Sequence, residues 1–528
     1  IIGDSYGIYN EAGDINYYDG ILEGKVGTYN TTITNIPEGY SIKEDIDGEY
    51  IINYLETKNV VAKINEKSYT NLESAINDSN SGDIINMINN DSEFTEITIP
   101  SDKDIVINTN GNIINCSKGI TNNGKLTINN DNTEKGTLKT SGSASIINNN
   151  GTLIVQNNIL SSSVSNEYTI INQENKNMKI ENSEISGQNG IKNLSNMTLT
   201  NTDVSATKDY AIYNSNNNQY QINITSGNIT GNIYSNGSTT DEITITDIIQ
   251  NGTITNNNTK MNLENHNITF DNIDKHDIVY AMANTGGTLS VKDTTIDITN
   301  NFDSKDGWSY KSLLYGIYNK NLGTLKISNS SISGKTIKNN SSSSAHIGGI
   351  YLDNTAGITN VDIDGYTTSL DSYKEAYGIY VSGAENDSSI NIKNANININ
   401  TANTGYGIYE TSTSNDFNVN LISGNIYTNA TTAYGVYVDS GSLTMGIKDG
   451  DGSENATVDK ENPFVKAVGT TGIGVKKNNG YFKYYDGKIM GSTNAKPDTT
   501  TDTEYNYEAV MHTDQETGYE YCVLEYMK

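Results

Sequence analysis

Tyr315-Gly316-Ile317-Tyr318 decides the fold, because the chain keeps returning to it. It recurs as Tyr377-Gly378-Ile379-Tyr380, Tyr406-Gly407-Ile408-Tyr409 and Tyr434-Gly435-Val436-Tyr437. Variants stand at Gly349-Ile350-Tyr351, Ala211-Ile212-Tyr213 and Tyr6-Gly7-Ile8-Tyr9, and an Ile-x-Asn form carries the pattern back through Ile191, Ile170, Ile146 and Ile120. Ile191, Ile212, Ile233 and Ile254 are each 21 residues apart. The spacing then loosens from Met282 to Ile317, Ile350, Ile379, Ile408, Val436 and Ile473. A period of this size denotes a solenoid, propeller or array.

Each repeat holds further parts in fixed order. After the Ile strand comes a turn, often Asn-Gly, then an apolar pair such as Leu126/Ile128, Leu153/Val155 or Leu325/Ile327. Five residues on stands another aliphatic residue, as in Ile327/Ile332, Ile392/Ile397 and Leu421/Ile426. Short alternating runs bounded by Gly and Asn read as strands, and helical periodicity is nearly absent. Three short strands per repeat predict an all-β protein, a single-stranded right-handed parallel β-helix. Each strand would pair with its copy about 4.8 Å above and below.

Strict alternation assigns faces. With Ile317 inside, Asn319 is also inside, while Gly316 and Tyr318 point out. The Asn319 position is Asn122, Asn148, Asn172, Asn193, Asn214, Asn256 and Asn284 in earlier repeats, broken once by Ser235. Stacked amides bond along the axis, so these residues predict an internal asparagine ladder. Leu352, Val381, Glu410 and Val438 follow at the same position, where the ladder ends.

Composition agrees with a thin core. Only 34% of 528 residues are hydrophobic, and a solenoid needs little more than one aliphatic column, since every coil covers the next. A formal net charge of −29 and the absence of Arg exclude nucleic acid as a partner, because phosphate binding rests on basic groups. No apolar run is long enough to cross a bilayer, so no membrane insertion is expected of this segment. Cys116 and Cys522 are too far apart in sequence to define a disulfide framework.

A second, longer period divides the chain. Tyr17-Tyr18-Asp19-Gly20-Ile21-Leu22-Glu23-Gly24 returns as Tyr484-Tyr485-Asp486-Gly487-Lys488-Ile489-Met490-Gly491. Gly48-Glu49-Tyr50-Ile51-Ile52 is echoed by Tyr519-Glu520-Tyr521-Cys522-Val523. Residues 1–60 therefore read as the C-terminal end of a preceding unit, and 61–115 as an N-terminal cap with the first coils. Residues 116–491 are the β-helix body, and 492–528 an exit segment toward a following unit. The chain opens inside a repeat, as a segment of something longer would. Thr70-Asn71-Leu72-Glu73 reads as a capping box opening a short helix near residues 70–78, with Leu72, Ala75 and Ile76 on one face. Such a helix would close the exposed end of the solenoid.

The spacing Ile64-x4-Tyr69-x2-Leu72-x2-Ala75-Ile76, then Gly82-Asp83-x-Ile85 and Asn110-Gly111-x-Ile113-Ile114, resembles the opening of pectate-lyase-like right-handed β-helix domains. Tandem units of this kind resemble those in large surface proteins of bacteria with AT-rich genomes. The resemblance implies a fold and an extracellular, cell-surface location, while the fold itself hosts lyases, hydrolases, adhesins and stalks. Resemblance to polysaccharide lyases would imply an Arg or Lys base over calcium ligands, and the chain has no Arg. Resemblance to polygalacturonases would imply several motifs of which only Asn201-Thr202-Asp203 is present, in an ordinary turn. An acid pair in the groove of a carbohydrate-active enzyme is the alternative, with no single pair distinguished among the Asp and Glu residues.

Other chemistry is sparse. His266, His276, His346 and His512 lack partners at metal-ligand spacing. Asp449, Asp451 and Ser453 offer alternating oxygens of the sort calcium takes, but Lys460 stands where an EF-hand needs Glu, so the loop reads as a solvated turn. No catalytic residue, metal or cofactor is assigned. What remains is a stripe of Tyr318, Tyr351, Tyr380, Tyr409 and Tyr437 on successive coils, each flanked by a glycine over which a ring could fold. Such rings stiffen a sheet or form a platform for a neutral glycan or a host or neighbour-cell surface protein. Trp308, in the largest insertion, is a further contact residue. The sequence thus predicts a non-enzymatic stalk or adhesin segment, with tandem copies of the same unit as neighbours.

Overall fold

The structure, a computed structural model, describes the chain except residues 19, 31–32, 37–39, 58–59, 95, 141, 216–218, 274, 276, 303–310, 338–343, 356–359, 384–388, 414–417, 450–456, 498–499, 501 and 528. It is all-β apart from one short helix, and no described helix is long and apolar enough to cross a membrane. The chain forms two compact units, Ile1–Ile170 with Met178–Glu184, and Ile171–Asn177 with Ile185–Lys528.

In the first unit the coil has three faces, each a parallel sheet. Ile97–Ile99, Ile120–Asn122 and Ile147–Asn149 pair in succession on one face. Asp104–Asn108, Lys125–Asn129 and Thr152–Gln156 form the second, and Ile113–Cys116, Gly136–Thr140 and Asn158–Ser162 the third. The period-2 pattern explains the arrangement, because every other residue is aliphatic and turns inward, as in Leu126 and Ile128. The helix Leu72–Asp78 buries Leu72, Ala75 and Ile76, as the sequence predicts. Its cap is Asn71, one residue later than the capping box required, and Asn71 accepts from the Ser74 N–H at 2.7 Å.

In the second unit one aliphatic column runs Ile191, Ile212, Ile233, Ile254, Met282, Ile317, Ile350, Ile379, Ile408, Val436 and Val475 in unbroken parallel register. The last member is Val475; Ile473 lies in register with Tyr434 instead. Ile212, Ile350, Ile379 and Ile408 have no exposed surface, and full burial of such a side chain contributes about 1.5–3 kcal/mol. The third face includes Val204, Ile229, Gln250, Ile268, Ile296, Ile332 and Thr368, so two polar residues interrupt its aliphatic column. His266 Nε2 lies 3.0 Å from Gln250 Oε1, and burial depresses its pKa to about 3, which makes it a neutral core residue.

The asparagine ladder exists, with amendments. In the first unit Asn122 donates to Asn149 Oδ1 at 2.7 Å, so the rung is Asn149 and the inward strand is one residue later than the sequence suggested. In the second unit Asn172 donates to Asn193 at 2.7 Å, Asn256 to Asn284 at 2.8 Å and Asn284 to Asn319 at 2.7 Å. The same amides hold the corner, since Asn284 also donates to the Gly287 carbonyl at 3.0 Å and Asn319 to that of Gly323 at 2.9 Å. A second ladder, not foreseen, begins with Asn272 donating to Asn300 at 3.0 Å. Asn214 is fully buried, yet its amide makes no hydrogen bond among the described residues, because Ser235 replaces the next rung. Asn284→Ala is therefore expected to cost about 1–3 kcal/mol, and Asn214→Ala close to nothing. Urea unfolding of the two variants checks the order, and equal losses would contradict the ladder.

Near each end of the chain the coil is closed in the same way. Lys488–Gly491 pairs antiparallel with Glu520–Tyr526, which forms a hairpin with Tyr507–Thr513. Ile21–Gly24 pairs antiparallel with Tyr50–Thr57, which forms a hairpin with Tyr40–Asp47. The tyrosines of the echoed stretch make matching bonds. Tyr17 Oη donates to the carbonyls of Gly20 at 2.6 Å and Asn53 at 3.0 Å, and Tyr484 Oη to those of Gly487 at 2.7 Å and Cys522 at 3.0 Å. Asn53 thus holds the place of Cys522, where the sequence echo had set Ile51. Cys116 and Cys522 are both buried and free.

Candidate functional site

Strict alternation fails at one point in the coil, and the failure builds the site. Tyr315 pairs with Tyr280 and Gly348, and Ile317 with Met282 and Ile350. Between them the chain turns a corner at Gly316, so Gly316 and Ile317 both face inward. A Cβ on Gly316 would meet Ile332, and one on Gly378, Gly407 or Gly435 would meet Ile397, Ile426 or Val465, all buried. These glycines are not an outer surface for the rings, as the sequence had suggested. They are needed where the first face approaches the third. The ring of Tyr315 does cover a glycine, but it is Gly348.

The corner also turns the first tyrosine of each motif outward. The result is two columns of rings. Tyr318, Tyr351, Tyr380, Tyr409 and Tyr437 form one, with successive centroids 5.0, 4.9, 5.2 and 5.2 Å apart. Tyr377, Tyr406 and Tyr434 form the other at 5.2 and 5.4 Å. The columns touch, with Tyr406 and Tyr409 centroids 4.6 Å apart and Tyr434 and Tyr437 4.9 Å. The second column escaped the sequence because period 2 places Tyr315 inside with Ile317. The signal was nonetheless in the motif, which begins and ends with Tyr.

Exposure divides the face. Tyr315, Tyr318, Tyr351 and Tyr377 are buried, and Tyr315, Tyr318 and Tyr351 cluster with Ala283. For Tyr318 and Tyr351 this overturns the exposed platform. Their hydroxyls are also engaged, Tyr318 donating to Asp353 at 2.8 Å and Tyr351 bonding Ser382 at 2.8 Å. Tyr380, Tyr406, Tyr409, Tyr434 and Tyr437 are half-buried and offer ring faces and edges. Burial, helped by Asp439, pushes Tyr409 up to about 12, so its ring presents a neutral phenol. Beneath it His346 Nδ1 lies 3.1 Å from Glu375 Oε2, which also accepts from Tyr377 Oη at 2.8 Å. The His346 ring, then Tyr377, hold the Glu375 carboxyl down at about 2 despite partial burial.

Further along the first face the column reads Tyr213, Tyr234, Thr255, Ala283 and Tyr318. Tyr213 and Tyr234 stack at 5.1 Å and 9°, but Thr255 and Ala283 carry no ring. A cleft of about 740 Å³ opens there, walled by Tyr210, Tyr234, Phe270 and Tyr280, with Lys275 and Lys320 at its edge. A smaller cleft of about 350 Å³ lies on the third face among Asp297, Ser333, Lys335 and Asp371.

The remaining sequence candidates do not join these sites. Trp308 lies outside the described residues, as do Asp451, Ser453 and His276. Asp449 accepts from the Thr457 N–H at 2.8 Å, and its own N–H donates to Glu504 at 2.6 Å, so its carboxylate is engaged with the chain. His512 pairs with Glu525 at 3.0 Å in the terminal hairpin. Among the described residues no group of three or more His, Cys, Asp or Glu is placed to hold a metal. The chain matches no family model, no curated protein and no solved structure.

Proposed function

We propose that this chain is a non-enzymatic segment of a large extracellular bacterial surface protein, a stalk or adhesin of the pectate-lyase-like kind that recognises a glycan or a protein of a host or neighbouring cell through its tyrosine face. The observation that carries the reading is the double column of half-buried rings from Tyr380 to Tyr437. Rings fixed on a parallel ladder need no ordering when a chain docks, so weak contacts add. Tyr gives an apolar face and a polar tip, which suits a sugar ring or a peptide. The matching closures at Tyr17 and Tyr484 support tandem copies of one unit in a longer chain.

Replacing Tyr380 and Tyr409 together with Ser leaves Ile379 and Ile408 in the column. The double variant is expected to lose binding on a glycan array or to a host-cell surface. Its melting temperature should fall by only a few degrees, because each lost stacking contact is worth about 0.5–1.5 kcal/mol. Unchanged binding by the folded double variant would remove the face from consideration.

A further inference from the structure

We propose that the break in the tyrosine column between Tyr234 and Tyr318 is a binding site for a carboxylated pyranose, whose ring lies against the tyrosines and whose carboxylate meets Lys275 and Lys320. This rests on the surface-recognition reading above and names the ligand class of one part of that face.

The break is centred on Thr255; at the next rung Ala283 is buried, with Tyr280 packed against it. At strand spacing the Tyr234 and Tyr280 levels are then about 9.6 Å apart, which leaves the place of one ring between them. The walls remain aromatic: Tyr213 stacks on Tyr234 on one side, and Tyr280 stacks on Tyr318 at 5.9 Å on the other. At about 740 Å³ the cleft falls within the range of small-ligand sites. Between aromatic walls, the hydroxyl and amide groups of Thr255, Thr285 and Asn257 supply the mixture of apolar face and hydrogen bonding that a pyranose requires.

Charge selects the acidic sugar. The chain carries a net −29, yet among the described residues no acidic side chain lines this cleft and two lysines do. Neither lysine forms an ion pair among the described residues. Lys320 Nζ sits 5.2 Å above the Tyr318 ring, which holds it at the cleft edge. The backbone of Lys275 is clamped by the second ladder: its N–H donates to Asn272 Oδ1 at 3.1 Å, and its carbonyl accepts from Asn272 Nδ2 at 2.9 Å and Ser312 Oγ at 3.0 Å. Asn272 and Ser312 are buried, so this anchor is part of the core. A carboxylate entering here meets two lysines that have no ion-pair partner among the described residues, whereas elsewhere the acidic surface repels it.

Calorimetric titration of the full chain with sialyllactose, a glucuronate-terminated disaccharide, lactose and acetate tests the assignment. The acidic sugars are expected to bind, and lactose and acetate not. Lys320→Gln and Lys275→Gln should each weaken the acidic sugars by about tenfold. Thr255→Tyr, which restores a missing rung, should abolish binding while leaving the circular dichroism of the folded chain unchanged. Absence of binding by both acidic sugars, equal binding of lactose, or binding unaffected by either lysine variant would overturn the proposal. Acetate binding as tightly as the sugars would reduce the cleft to an anion site and overturn it too. The Tyr380 and Tyr409 double variant is the independent control, since its array binding can be lost or kept whichever way the cleft behaves.

Discussion

Raising the pH from about 5 to about 9 is expected to destabilise this protein by several kcal/mol, and Glu410→Gln is expected to abolish most of that loss. Glu410 occupies the inward position held by Asn319 in an earlier coil, between Val381 and Val438, and has no exposed surface. Its Oε1 accepts from the Ser412 N–H at 2.7 Å and from the Ser412 hydroxyl, while Oε2 makes no hydrogen bond among the described residues. Burial pushes its pKa from 4.5 up to about 8, against the smaller opposing effect of Ser412. Between those values the native state holds a proton that the unfolded chain has shed, so stability is full below the unfolded value and falls as pH rises through about 8. The difference is on the order of 3–5 kcal/mol. Glu375 acts in the opposite sense: its depressed pKa gives stability that is present above its unfolded value and lost as pH falls toward about 2. Melting temperatures across the range check both limbs, and a wild-type profile that stays flat on the alkaline side would exclude a buried, protonated Glu410.

Gly407→Val is expected to cost about 3 kcal/mol or more. A Cβ at this position meets the Ile426 side chain and the backbone carbonyl of Gly435, which stands between the paired Tyr434 and Val436 of the next coil. Neither can move without parting the faces of the coil, and overpacked cores are penalised by about 1–3 kcal/mol even where side chains alone must shift. The adjacent Tyr406 provides the contrast. Its ring is half-buried and outward, so Tyr406→Ser removes stacking alone and is expected to cost about 1–2 kcal/mol. Chemical denaturation separates the cases. A neutral Gly407→Val would restore the outward assignment of the glycine.

Much of the fold was legible because one signal is repeated on every coil. Ile212 and Ile379 are fixed by their neighbours above and below as much as by their own context, so an inward position recurs at every period. The helix at Leu72 was legible through its apolar face. What alternation could not show is where a strand turns a corner, since two successive residues then share a side. That single limit explains the misplaced Gly316, Gly378 and Gly407 and the overlooked Tyr315, Tyr406 and Tyr434. Asn149 and Val475 are register slips of the same origin, each lying beside a second residue that fits the pattern equally well. The cleft at Thr255 was hidden for a different reason: a site made by an absent ring leaves no motif. Lys275 and Lys320 are far apart in sequence, and only the stacking of coils brings them to one opening.

The hairpins near the two ends of the chain have a bearing on how such a chain avoids mispairing with itself. Similar coils joined in series are prone to exchange, because any open strand is a ready template for the corresponding strand of a neighbouring copy. At Gly491 and again at Gly24 the parallel order stops and an antiparallel strand takes its place. A parallel coil from another copy finds the wrong direction there and cannot continue the stack in register. A reversed strand at each of these places thus acts as a firebreak, since the stack beside it offers a neighbouring copy no parallel edge to extend.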